Sequence, residues 1–226
     1  MTETLDIAGI SVALRRSGRA RRMTLRVGRA DGRVSLSLPA RTPLREAEAF
    51  ARSHADWIAR QVSAAPAPRG VTVGGTLPVL GREVPVVGGT GRAARWTGRA
   101  ISVPDDDRAG PRVKALLREM ARTHVTEAVE RHAAALGRPF GRVTLRDTRS
   151  RWGSCSGRGD LMFSWRLVMA PPEVLDYVAA HEVAHLAHMD HSPRFWACVE
   201  RLMPGHAPRR AWLRREGAAL QAVSFD

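Results

Sequence analysis

The chain has 226 residues, 44% hydrophobic and 26% charged, which are ordinary values for a globular protein of one or two domains with a core of its own. No apolar run approaches the ~18 residues of a membrane span, the acidic start Met1-Thr2-Glu3-Thr4-Leu5-Asp6 is not expected to act as a secretion signal, and two cysteines in no paired motif, Cys155 and Cys198, point to a reducing, cytoplasmic setting without a disulfide framework. The formal charge of +14 makes nucleic acid or nucleotides candidate partners through a basic surface, although arginine-favouring codon usage gives the same skew, Lys114 being the single lysine.

Apolar–polar alternation predicts strands at Ile10 to Leu14, Met23 to Val27 and Val34 to Leu38, with Asp31-Gly32 as a hairpin turn between the last two. Thr42 and Pro43 suit the cap and first turn of a helix running to about Val62, with Phe50, Trp57 and Ile58 on one face. A linker, Ala64 to Gly70, precedes short glycine-punctuated strands at Leu77 to Leu80, Glu83 to Val87, Ala94 to Thr97 and Ala100 to Val103. Pro104 to Gly110 is a second break. Arg112 to Leu136 follows as an amphipathic helix on the stripe Val113, Leu116, Leu117, Met120, Val125 and Val129. Val143 to Leu145 and Leu161 to Trp165 read as strands around a turn region at Trp152-Gly153-Ser154-Cys155, and Pro171-Pro172 opens the next helix. The fold class is α+β. An N-terminal, mostly-β region with one helix (1–65) and a short β segment (71–104) precede a C-terminal domain (111–226) with a small sheet and the helix that Pro171-Pro172 opens.

That helix, Pro172 to about His188, is apolar nearly all round and therefore buried, yet it carries His181, Glu182, His185 and His188. Buried polar groups need partners. His181 and His185 are four apart, so they leave one face about 6 Å apart along the axis, a span a zinc ion bridges with bonds of about 2.0–2.1 Å. Glu182 is rotated off that stripe, within reach of a zinc-bound water without being a ligand. This is the spacing of zinc hydrolases. A catalytic zinc needs a third protein ligand and one open position. His188 keeps the azimuth of the pair but lies roughly 4.5 Å beyond His185 along the axis. His191 precedes Ser192-Pro193, a cap and first-turn pair, so the chain must turn near Met189-Asp190, and the turn can swing His191 back. The spacing favours His191, with His188 as the alternative.

Arg151-Trp152-Gly153-Ser154-Cys155-Ser156, Trp165-Arg166-Leu167, Ala170-Pro171-Pro172, Asp176-Tyr177-Val178, His191-Ser192 and Phe195-Trp196 together resemble the YgjP-like metallopeptidase family. Arg15-Arg16-Ser17, Arg22 to Val27 and Ala55-Asp56-Trp57-Ile58 fit the same pattern. The resemblance implies a zincin-like catalytic domain related to the SprT-like proteases. It also implies zinc on His181, His185 and His191, Glu182 as the acid–base, and a peptide or protein substrate.

The expected reaction is metal-assisted hydrolysis, in which a zinc-bound water activated by Glu182 attacks a peptide carbonyl. Tyr177, Arg149 and Arg151 are candidate transition-state stabilisers. Trp152 and Trp165 are expected in the core, Cys155 as a small buried thiol, and Leu161 to Trp165 as a strand that offers its edge to a peptide. Two other classes compete. One is a metal-dependent nucleotide phosphohydrolase, since arginines suit phosphates. The other is a basic nucleic-acid-binding module with structural zinc, supported by Arg15, Arg16, Arg19, Arg21 and Arg22 but lacking interleaved aromatics. A structural zinc would need four protein ligands.

Overall fold

The computed structural model describes residues 3–226, in two compact units that divide after Pro68. In the first unit, β1 (Thr4–Ile7), β2 (Ile10–Ser17), β3 (Thr24–Val27) and β4 (Val34–Pro39) form a sheet ordered β1-β2-β4-β3, followed by α1 (Leu44–Ser53) and α2 (Ala55–Ser63). The hairpin expected at Asp31-Gly32 forms, with Val27 opposite Val34. β2 runs parallel to β4, which places Val12, Leu14, Val34, Leu36 and Leu38 on one buried face with Ala47, Ala51 and Ile58. β1 had no separate signal. It is short, and its turn, Ala8-Gly9, takes positive φ at both residues, where alanine hides the usual glycine or asparagine mark.

The helix expected from Thr42 to Val62 is two helices. His54 is not helical: its N–H reaches back to Ala51, while its Nδ1 engages the Phe50 carbonyl that an unbroken helix would give to the His54 N–H. Ser53 Oγ donates to the same carbonyl. Thr42 does not cap α1 through its side chain. Trp57 is exposed and does not share the buried face of Ile58.

The second unit, Arg69–Asp226, begins with β5 (Arg69–Gly70) and a sheet of β6 (Thr76–Val79), β7 (Arg82–Gly88), β8 (Arg95–Trp96) and β9 (Ile101–Val103), ordered β6-β7-β9-β8. Next come α3 (Ala109–Leu136), β10 (Val143–Arg146), β11 (Gly153–Cys155), β12 (Leu161–Ser164), a 3-10 turn (Trp165–Met169), α4 (Pro172–Ala184), α5 (Pro193–Leu202), α6 (Ala207–Ala222) and β13 (Val223–Ser224), which pairs with β5. Residues 71–104 share a core with the start of α3, where Leu77, Val86, Ile101 and Val103 meet Val113 and Leu117. A second cluster joins the rest of α3 to α4 and α5 through Val125, Val129, Val178, Val183 and Phe195.

The expected α+β class, with a small sheet beside the helix that carries the histidines, is what the molecule shows. Among the described residues no helix is long and apolar enough to cross a membrane. Two expectations fail locally. Within the expected turn region Trp152 to Cys155, Gly153–Cys155 form a strand. The strand read as Leu161 to Trp165 stops at Ser164 and lies between β10 and β11, so both its edges are paired and the edge strands of the sheet are β10 and β11. Trp165 is buried, and Trp152 is partly buried between the two cores. The buried Arg166 ties the 3-10 turn to the chain's end, donating to Asp147 (2.7 Å) and to the carbonyls of Leu220 and Val223 (2.9 and 2.8 Å).

Candidate metal centre

α4 starts on Pro172, whose fixed φ and missing N–H suit a first helical position. The helix is buried along most of its length, including Glu182, which is 5% exposed. It was expected to run to about His188 but ends at Ala184, where Leu186 and Ala187 close tight turns onto Val183 and Ala184 (2.9 and 3.1 Å). Ser192 then caps α5, accepting the Phe195 N–H at 3.4 Å, and Asp190 accepts the Ser192 N–H.

This reversal brings His191 back beside α4. The Nε2 atoms of His191 and His181 are 3.2 Å apart, and ligand atoms of His181, His185 and His191 all lie within 4.8 Å of one another. Among the described residues this is the one group of three or more potential ligands that converges. His188 stays outside it and contributes its backbone instead, its carbonyl accepting the His185 Nδ1–H at 2.9 Å. That bond leaves the lone pair of His185 on Nε2. Burial, with the neighbouring histidines and Arg210, pushes the His181 pKa down to about 3, which keeps the ring neutral. Its Nδ1 is buried without a hydrogen-bond partner. Three imidazoles converging on one point form a donor set that fits a borderline-soft divalent ion such as zinc.

Phe195 backs all three imidazoles, with ring centroids 4.9, 4.4 and 4.8 Å away. Beside them His206 is stacked between Tyr177 and Trp196 (5.8 and 5.6 Å), and its Nδ1–H donates to Glu200 (2.8 Å). Arg210 lies over the outer system at 4.3 Å from the Trp196 ring. Sequence reasoning did not single out His206, Glu200 or Arg210. They lie beyond the motif, and no local spacing marks them. Tyr177 is buried, with its ring 6.0 Å from that of His181, and burial raises its phenol pKa.

Glu182 is positioned by β11. A Cβ on Gly153 would sit 2.5 Å from the Glu182 Oε1 and 2.6–2.7 Å from Cγ and Cδ, so glycine is what lets the carboxyl lie against the strand. Burial pushes the Glu182 pKa up to about 8, and the charge of Arg151 opposes that rise. Arg149 and Arg151 are both exposed and line a groove with Ser154 and Cys155. Cys155 is half-buried, and its thiol pKa is raised by burial and then by the charges of Glu182 and Asp160.

A family model described as "YgjP-like, metallopeptidase domain" matches residues 21–216. A search of curated proteins finds no match. Among solved structures, the chain is similar to the metallopeptidase zymogen of Pyrococcus abyssi abylysin, with 26% identity over 41% of this chain and 92% of that one and a TM-score of 0.36.

Proposed function

The chain belongs to the YgjP-like metallopeptidase family, a peptidase-type hydrolase, and from that premise we propose that it is a zinc peptidase with the metal on His181, His185 and His191 and Glu182 as the proton carrier. The observation that carries this reading is the convergence of three imidazoles beside a buried glutamate. Three protein ligands leave a position open, as a catalytic site requires, whereas a structural zinc is closed by four. When bound, zinc acidifies a water to a pKa of about 7 and polarises the scissile carbonyl.

Glu182 takes a proton on its carboxylate and delivers it to the leaving amine. Burial makes that carboxylate a stronger base than a solvated one, and Gly153 fixes where it lies. The His188 carbonyl orients the His185 ring, and Phe195 keeps water from the rear of the cluster. The free edge of β11 gives unpaired backbone groups to an extended peptide.

Protein stripped of metal by a chelator is expected to lose hydrolysis of an unstructured protein substrate and to regain it with stoichiometric zinc. Zinc-loaded protein that splits nucleoside triphosphates and leaves every peptide intact would overturn the reading. A second test concerns the cradle under the carboxyl. Gly153→Ala is expected to keep zinc and lose roughly 10²-fold in peptide hydrolysis, the scale of an ångström-sized misplacement of a catalytic group. Full activity in that variant would mean that the position of Glu182 is not set by the strand.

A further inference from the structure

We propose that the groove along β10, β11 and β12 binds acidic side chains of the peptide substrate, so that the enzyme selects carboxylate-rich segments. The inference rests on the peptidase reading and adds the substrate class to it. The groove is a cavity of about 650 Å³ along β10, β11 and β12. Arg142, Arg146 and Arg151 line it, all exposed. Among the described residues none of the three forms an ion pair with a carboxylate.

Of the two nearest carboxylates one is engaged elsewhere, and the other is a single charge among several arginines. Asp147 is held by the buried Arg166 at 2.7 Å. Asp160, the one carboxylate in the lining, accepts the backbone N–H of Arg142 at 2.9 Å. The groove therefore presents a surplus of positive charge with hydroxyl partners in Thr144, Thr148 and Ser154. It is continuous with the site through β11, whose Gly153 lies against Glu182 while Ser154 and Cys155 line the groove. A peptide lying in this groove, across the sheet rather than paired to its edge, would bring its side chains to the arginines, and guanidinium forks suit carboxylates.

The test uses the full chain and fluorescent peptides of equal length, acidic, neutral or basic, each with one cleavable bond. With zinc-loaded protein, the acidic peptide is expected to have a kcat/KM about tenfold above the neutral one, the scale of one charge-assisted hydrogen bond. That ratio is expected to fall toward one as salt rises. Arg142→Gln combined with Arg146→Gln is expected to bring the ratio near one at low salt. In the metal-free protein, anisotropy is expected to show acidic-peptide binding that the same double variant weakens by a similar factor. Cleavage without charge preference, together with binding indifferent to the arginines, overturns the inference. So does a nucleoside triphosphate that competes the acidic peptide out of the groove at much lower concentration. Arginine-dependent binding with no cleavage of any peptide would instead count against the peptidase reading and leave the groove standing.

Discussion

Glu182→Gln is expected to lower peptide hydrolysis by on the order of 10²–10⁴-fold, the usual contribution of a positioned acid–base, while zinc content stays at the wild-type level. Glutamine preserves the shape of the side chain against Gly153 but cannot carry the proton. Glu182 is also absent from the converging ligand set, so the metal has no reason to leave. The same change has a second signature in the metal-free protein. Burial raises the Glu182 pKa from 4.5 to about 8, so between those values the folded state holds a proton that the unfolded state has released. Stability from this group is therefore complete at low pH and falls as pH rises through that window. Metal-free Glu182→Gln is expected to melt higher than metal-free wild type at pH 8–9, with the gap closing toward pH 5. Wild-type activity in the variant, measured by peptide hydrolysis with zinc assayed in parallel, sinks the mechanism. Parallel melting curves at both pH values sink the linkage.

His191→Ala is expected to weaken zinc binding by about 10²–10³-fold, taking roughly 10–16 kcal/mol for a full zinc site shared among four ligands. Hydrolysis at limiting zinc should fall with it. His188→Ala is the informative partner, because His188 acts through its carbonyl, which alanine retains. Its zinc affinity should stay within a few-fold of wild type. Competition with a chromophoric chelator measures both variants. A His191→Ala protein that holds zinc as tightly as wild type, or a His188→Ala protein that loses it, would assign the third ligand wrongly. Both variants should fold, since Ser192 still caps α5 and Phe195 remains in its core.

Much of the framework was legible because its causes are local. Alternation fixed β2, β3, β4 and their hairpin, and the buried helix α4 followed from apolar residues all round its axis. The helix expected to run from Thr42 to Val62 was misjudged because periodicity does not register the competition of Ser53 and His54 for one carbonyl. β11 was misjudged because its three residues have weak strand propensity and pair only through β12. The strand expected to offer its edge to a peptide, β12, is for that reason paired on both sides.

The sequence by itself determined that His181 and His185 share a helix face with Glu182 beside them, because 3.6 residues per turn admits no other arrangement. It also determined that a new helix starts at Ser192-Pro193, because capping chemistry acts within a turn. Only the tertiary structure decided that His191 returns to within 3.2 Å of His181, that Glu182 lies against Gly153, and that His206 stacks between Tyr177 and Trp196. Each of these joins residues from different elements, so each depends on how helices and strands pack to fill one core. That packing is a property of many side chains at once, and no spacing along the chain encodes it.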